Sequence, residues 1–290
     1  MSRLEMKTVV IGANGQLGRD VVVSFQNNGD EVLELNHDQI RIEDIDFTSS
    51  VLKEIKPDVI INTAALHHVE VCEEKPAESF AINGIGSRNL ASVANDLDAL
   101  LIHISTDYVF DGKKNSPYLE SDLPLPLNVY GNTKLAGENF IRSIAEKYHI
   151  LRVSGIYGHA PCRAKGLNFV DLMLKLGNER DEVRVVNDEE ISPTHTEDIA
   201  SQILQFSRSE AYGLYHVTAE GSCTWYEFAK EIFKTSGVKT RLEIADSSEF
   251  PTKVPRPKYS VLENRELKRN NLQDTLHWKD GLNNYLKKVN

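Results

Sequence analysis

The sequence predicts an α/β fold: a doubly wound parallel sheet with a smaller C-terminal lobe. Three observations carry this expectation. Short apolar, β-branched runs recur at Thr8-Val9-Val10-Ile11, Val59-Ile60-Ile61 and Ile102-His103-Ile104. Stretches with helical spacing of apolar residues separate them, as parallel strands joined by helical crossovers require. A glycine-rich turn, Gly12-Ala13-Asn14-Gly15-Gln16-Leu17-Gly18, lies directly between the first run and the first helical pattern.

Taken in order, strand one is Thr8–Ile11, and the helix after it carries Leu17, Val21, Val22 and Phe25 on one face. A strand-to-helix turn rich in glycine lets the backbone approach a pyrophosphate seated on the helix N-terminus. Gly12, Asn14, Gly15, Gln16, Leu17 and Gly18 are therefore candidate cofactor contacts. The spacing is G-x-x-G-x-x-G rather than G-x-G-x-x-G, so its position carries more weight than its pattern. Strand two is Glu31–Leu35. Dinucleotide sites place an acid near the end of this strand to hold a ribose. Here the end reads Asn36-His37-Asp38, Glu34 comes one position early, and Arg41 offers a partner for a 2′-phosphate, so NAD and NADP both stay open. The next helix is expected to start at Thr48 or Ser49 and to carry Val51, Leu52 and Ile55.

Pro57–Asn62 reads as a buried parallel strand. The small residues Thr63-Ala64-Ala65 then leave room for a ribose and a nicotinamide, which makes Ala64 and Ala65 further cofactor candidates. His67 and His68 are adjacent, so on an extended chain they face opposite ways, and no third ligand is near in sequence. No metal is expected there. A helix runs from Phe80 through Ala94, and a strand from Ala99 to Ser105. The polar, Pro-containing stretch Lys113–Leu127 is long enough to form part of a site wall. Helix initiation is expected near Asn128, with Leu135, Phe140, Ile141 and Ile144 as its core face. Strand Ile150–Ser154 follows. The segment Cys162–Asn168, with Arg163 and Lys165, is either a solvated loop or a lid over a diphosphate. A helix opens at Asn168-Phe169, Val183–Val186 is a strand, and Ile191–Asp198 leads into another helix. Leu214–Val217 returns to the main sheet, and Trp225–Phe233 is an amphipathic helix whose aromatics are core. In the Pro-rich stretch 250–258, Arg256 is either a bidentate phosphate ligand or a surface charge. The expected division is a Rossmann-type domain over 1–154, its sheet completed by a returning segment near 195–218, and a substrate lobe over 155–290.

The chemistry concentrates at residues 102–134. Tyr130 and Lys134 are four apart on a helix and share one face. An ammonium near a phenol favours the phenolate, and a Tyr so tuned can hand a proton to a developing alkoxide. Thr106, at the end of the preceding strand, can hydrogen-bond the same oxygen. The stretch reads as a carbonyl-reducing site, provided a hydride donor lies beside it.

Bulk properties agree. The 290 residues are 40% hydrophobic and 26% charged, with a net charge of −10. That balance argues against a nucleic-acid or anionic-membrane surface. The three cysteines, Cys72, Cys162 and Cys223, show neither metal spacing nor a disulfide framework, and reduced thiols in a cytoplasmic protein are expected. The start of the chain lacks a signal-peptide core, and no stretch is long enough to span a bilayer.

Together, Gly12–Gly18, Asn62-Thr63-Ala64-Ala65, Ser105–Gly112, Pro126–Glu138, Pro193-Thr194 and Arg256-Pro257 resemble the extended short-chain dehydrogenase/reductases, and within them the dTDP-4-dehydrorhamnose reductase family. The resemblance spans nearly the whole chain. The runs from Ser105 to Gly112 and from Asn128 to Glu138 are specific to this branch. It implies NADH- or NADPH-dependent reduction of the 4-keto group of a nucleotide sugar, with Tyr130, Lys134 and Thr106 catalytic. It also implies adenine contacts at Asp46 and Phe47, substrate contacts at Asp107, Asn168 and Arg256, and support of Lys134 by Asn83 through backbone and water, and it is compatible with a homodimer. Two departures stand out. His67-His68 replaces the family's usual Thr-x-Val-Asp neighbourhood, and Gly155 stands where many members carry Trp. A dehydratase on the same scaffold needs a second acid where this chain has Tyr108, and an epimerase usually lacks the Val109-Phe110-Asp111 run. Two alternatives remain: a reductase of another 4-keto sugar, and a non-catalytic subunit like the methionine adenosyltransferase beta subunit.

Overall fold

The computed structural model describes residues 6–161, 166–250, 253–272 and 275–289. Cys162, Arg163 and Lys165, the proposed lid cations among them, lie outside the described residues.

The chain runs β1 (Lys7–Ile11), α1 (Gln16–Asn27), β2 (Glu31–Leu35), α2 (Ile45–Ile55), β3 (Val59–Asn62), α3 (Val69–Glu74) and α4 (Pro76–Ser79). A π-helical turn, Phe80–Ile85, leads into α5 (Gly86–Asp96), β4 (Leu100–Thr106), a 3₁₀ turn at Asp107–Val109, α6 (Val129–Ile144) and β5 (Tyr148–Val153). Then come β6 (Ile156–Tyr157), α7 (Phe169–Glu179), β7 (Glu182–Val186), β8 (Glu190–Ile191), β9 (Thr194–His195), α8 (Thr196–Phe206) and β10 (Gly213–His216). The described chain closes with β11 (Cys223–Thr224), α9 (Trp225–Ser236), β12 (Arg241–Ala245), α10 (Arg265–Arg269) and α11 (Trp278–Val289).

Six strands form one parallel sheet in the order β10-β5-β4-β3-β1-β2. The expected doubly wound sheet is observed. Its inner strands β1, β3 and β4 are buried on both faces because helices cover both. Val10 faces a core built with Leu17, Val21 and Phe25 of α1 and Ile199, Ile203 and Phe206 of α8. Val9 and Ile11, one residue to either side, face Leu52 of α2, Leu90 and Ala94 of α5 and Ile141 of α6. From β1 the chain goes outward to β2, then crosses back to β3 on the other flank. That reversal is the switch point where open α/β sheets leave a crevice beyond the strand ends. The later segments build a separate core from Val170, Met173, Phe228, Ile232, Trp278 and Leu282.

Several local expectations are corrected. Helix α2 starts at Ile45, not at Thr48, because the Asp44 carboxylate caps it by accepting from Phe47 N–H at 3.0 Å. The fully buried face of α6 is Gly131, Thr133, Lys134, Gly137, Glu138 and Ile141, which adds polar residues to the expected core face, while Leu135 and Ile144 pack partly buried against core clusters. The loop Lys113–Leu127 does not line the cavity that holds the site. Its Tyr118 stacks on Phe110 at 4.2 Å and pairs with the backbone at Leu262. Among the described residues no helix is long and apolar enough to cross a membrane.

Two buried histidines give the fold an acid sensitivity. Burial holds His149 near 4 and, with Arg152 adjacent, His216 near 3, both below the ordinary 6.5. Between pH 6.5 and about 4 the unfolded chain takes up these protons and the folded chain does not. Stability is therefore expected to fall as pH drops below 6.5, by about 1.4 kcal/mol per pH unit for each such group. Urea midpoints from pH 7 to 4.5 check this, and His216→Phe should flatten the slope.

Candidate active site

The glycine turn opens the site. Gly12 follows β1 with φ +79, where a side chain is strained, and a Cβ there would lie 2.9 Å from Ala64 N. At Gly18 a Cβ would stand 2.3 Å from the Gly12 carbonyl oxygen and 2.9 Å from Ala13 Cα. Gly15 caps α1, whose first turn holds no acidic residue. The glycines thus bring the N-terminus of α1 against the ends of β1 and β3 with its first-turn N–H groups facing outward, which suits an anion.

A cavity of about 750 Å³ runs from this turn to the catalytic candidates. It brings together Gly12, Asn14, Gly15, Gln16, Leu17 and Gly18 at one end with Ala64 and Ala65 along the wall. Thr106, Asp107, Tyr130 and Lys134 lie at the other end. Residues that sequence reasoning did not assign also line it, notably His37, Ile42, Glu43, Ser105 and Tyr108. His67, His68 and Gly155 line it too.

Helix α6 presents Tyr130 and Lys134. Asn128 caps it, accepting from Gly131 N–H at 2.9 Å and donating to Pro255 O at 2.9 Å, so one residue starts the helix and ties down the C-terminal arm. Gly131 is required by proximity: a Cβ there would meet the Tyr108 carbonyl oxygen at 2.2 Å. The Tyr130 ring stands edge-on to Tyr108 at 5.7 Å. Burial pushes the Tyr130 phenol above its ordinary range, and a hydrogen bond with Thr106 opposes that shift. The Lys134 ammonium is directed at Ile104 O, 2.7 Å away, and at His103 Nε2, 3.1 Å away. Burial lowers it to about 8, against the pull of Glu138. Of the leading influences on Tyr130, the Thr106 hydrogen bond is the one that favours the phenolate.

Asp107 reaches the cavity, but its carboxylate is held within the protein. It accepts from Thr106 Oγ1 at 3.0 Å and Ser154 Oγ at 2.9 Å, and also from Ser260. Burial raises it and these hydroxyls hold it down. The geometry makes it a strut that orients Thr106.

Four assigned contacts lie outside the cavity lining. Asp46 and Phe47 sit on the first turn of α2, and Phe47 lies under the Arg41 guanidinium at 5.0 Å. Asn168 caps α7, accepting from Asp171 N–H at 2.9 Å and donating to Gly158 O and Tyr285 Oη at 2.9 and 3.0 Å. Its amide is occupied by the fold. Arg256 is paired with Glu70 of α3. Asn83 clamps both backbone groups of Leu66 at 2.9 Å and donates to Thr133 Oγ1 at 3.0 Å. It does so from the π-helical turn, a feature common at functional sites.

At the end of β2, Asn36 Oδ1 accepts from Asn14 N–H at 3.0 Å, so an amide stands where a ribose-binding acid was sought. Gly155 has φ +53, and a Cβ would lie 3.0 Å from Ile191 Cδ1 and 3.2 Å from Pro193 Cα. A large side chain at this position would need a different backbone here. No metal was expected, but His159, His195 and Glu197, none of them lining the cavity, bring ligand atoms within 4.8 Å of one another. The Glu197 carboxylate is already neutralised by Lys288 Nζ at 2.6 and 2.8 Å.

A family model described as the RmlD substrate binding domain matches residues 6–290. The chain is 38% identical over 280 residues to the spore coat polysaccharide biosynthesis protein SpsK of Bacillus subtilis, covering 97% of this chain and 96% of that one. It is 34% identical over 276 residues to the dTDP-4-keto-6-deoxy-D-glucose reductase of Streptomyces niveus, covering 94% of each. A crystal structure of dTDP-4-dehydrorhamnose reductase from Bacillus anthracis in complex with NADP matches with a TM-score of 0.94 and 35% identity, covering 98% of this chain and 100% of that one.

Proposed function

The chain belongs to the RmlD substrate binding domain family, and on that premise we propose that it reduces the 4-keto group of a nucleotide sugar with NADPH or NADH. The substrate that fits the reading best is dTDP-4-dehydro-L-rhamnose, giving dTDP-L-rhamnose. One observation carries it: a single cavity joins the glycine turn and the N-terminus of α1 to Thr106, Tyr130 and Lys134. The residues fit a dinucleotide. Gly12 and Gly18 clear space that a Cβ would fill, and Ala64 and Ala65 keep the wall shallow. When bound, the nicotinamide supplies a hydride to the sugar C4.

The chain's own groups supply the rest. The first-turn N–H groups of α1 receive the pyrophosphate. Lys134 holds the nicotinamide ribose and adds positive charge beside the phenol. Thr106, whose single hydroxyl proton goes to the Asp107 carboxylate in this structure, turns to donate it to the carbonyl oxygen of the bound sugar and polarises it. The Tyr130 phenol gives its proton to the alkoxide oxygen, so ketone, hydride and proton balance to a secondary alcohol. The reading places the reaction in the cytoplasm, which suits the free, buried thiols of Cys72 and Cys223.

The test is oxidation of NADPH and NADH with dTDP-4-dehydro-L-rhamnose generated in situ. Turnover supports the reading. Cofactor binding without turnover removes the rhamnose assignment. A second reading, another 4-keto-6-deoxy sugar, is favoured by Gly155, whose backbone leaves no place for an aromatic wall on the sugar side. Turnover of the epimeric 4-keto sugar alone would select it.

Gly18→Ala separates the two halves of the site. The added methyl meets the Gly12 carbonyl and forces α1 off the turn. An overpacking cost of about 1–3 kcal/mol is expected; carried into the cofactor site it weakens NADPH binding by about 5- to 150-fold, read by fluorescence titration.

A further inference from the structure

His103 stands on β4 behind Lys134 and is only 1% exposed. Its two ring nitrogens have different neighbours. Nε2 is 3.1 Å from Lys134 Nζ, and Nδ1 is 3.1 Å from Asn62 Nδ2. The other end of the Asn62 amide, Oδ1, accepts from Ala64 N–H at 3.1 Å. A backbone N–H only donates, so it fixes the amide with oxygen toward Ala64 and NH₂ toward the ring. An NH₂ also only donates, so Nδ1 must accept, and a neutral imidazole then carries its proton on Nε2. That proton points at Lys134 Nζ.

An ammonium and a ring N–H cannot both donate across the same 3.1 Å. The contact is satisfied when Nζ is a neutral amine that accepts. It is also satisfied when the ring changes tautomer and the Asn62 amide turns over, which sets NH₂ against Ala64 N–H. Charging Lys134 is therefore linked, through His103 and Asn62, to a backbone group in the cavity wall. Among the described residues, the charged group that raises Lys134 is Glu138, one turn along α6, which is already paired with Arg152 of β5.

We propose that His103 is a positioning residue whose tautomer, fixed through Asn62 and Ala64, sets the proton affinity of Lys134. The geometry carries the inference, and the lowered proton affinities of both groups agree with it. Its consequence for turnover rests on the reductase reading above. Lys134 is then a titrating group in the working range rather than a permanent cation. Formation of its charge answers to the loop that lines the cofactor end of the cavity.

The experiment follows the Lys134 Cε resonance in ¹³C-lysine-labelled full-length protein across pH 6 to 11, assigned by its loss in Lys134→Arg. In His103→Gln the side-chain amide reaches Nζ with an oxygen that only accepts, and no ring links it to Asn62. The titration midpoint is expected to rise by one unit or more, a tenfold gain in proton affinity. An unchanged midpoint overturns the proposal. If His103→Gln does not fold, His103→Asn is titrated instead; it also removes the ring N–H from Nζ, and the same rise is expected. Turnover separates the two readings. A midpoint that moves in a protein with no 4-keto sugar activity supports the linkage and sinks the reductase. A fixed midpoint in an active reductase does the reverse. If both hold, the basic limb of kcat/KM moves with the midpoint.

Discussion

Tyr130→Phe is expected to lower kcat by about 10²–10⁴-fold, the usual contribution of a positioned general acid, while leaving NADPH affinity within about twofold, far below one tenfold step of 1.4 kcal/mol. The substitution deletes one oxygen and keeps the ring that stands edge-on to Tyr108 at 5.7 Å. The loss is therefore chemical rather than structural. Without the phenol the alkoxide must take its proton from water, because Thr106 is an aliphatic alcohol like the product and hydrogen-bonds the oxygen without giving up its proton. Thr106→Val is expected to act in the same direction but more weakly. It removes a hydrogen bond to the carbonyl oxygen and leaves the proton donor in place. Single-turnover measurements with bound NADPH check both variants. A Tyr130→Phe protein that reduces the sugar at the wild-type rate would remove Tyr130 as donor. No turnover in wild type or variant, with cofactor bound to both, would instead favour a regulatory subunit.

What was legible in the sequence follows from how local each signal was. The glycine turn was readable because steric exclusion at Gly12 and Gly18 is a property of one strand-to-helix junction. Tyr130 and Lys134 were readable because helical spacing alone puts them on one face. The sheet was readable because strands buried on both faces are apolar throughout. Other residues have partners that the sequence does not show. Asn168 has polar atoms that suit a sugar, and only the fold shows them taken up by the cap of α7, Gly158 and Tyr285. Arg256 and Glu70 are far apart in the chain, so neither hints at the other. The buried charges of α6 escape the sequence for a related reason. A helix that buries Lys134 and Glu138 does so because His103, Ser105 and Arg152 wait on strands to receive them. Hydrophobic periodicity is blind to a buried face made of charges.

That same buried face gives the largest stability effect expected. Glu138 and Arg152 are 0% and 1% exposed, with Arg152 Nη2 2.6 Å and Nε 2.9 Å from the two carboxylate oxygens. Arg152 also covers the Phe110 ring at 5.1 Å. The pair ties α6 to β5, and the Ser105 hydroxyl, which donates to Glu138, adds β4. Arg152→Met keeps much of the volume and leaves the carboxylate buried with one hydroxyl for company. Removing one partner of a buried pair costs about 3–5 kcal/mol, so a large fall in the urea midpoint is expected. An unpaired buried carboxylate escapes by taking up a proton. The deficit relative to wild type should therefore shrink as pH falls, opposite to the histidine trend of the parent. Replacing both groups, Glu138→Leu with Arg152→Met, removes the stranded charge and should recover a substantial part of the loss. Additive losses in the double variant would mean that the pair is not coupled. Because Glu138 is one turn from Lys134, any rotation of α6 that relieves the single variant also moves the ammonium from Ile104 O and His103. The expected companion is a fall in kcat at temperatures where the variant is still folded, since small displacements of reacting groups are costly.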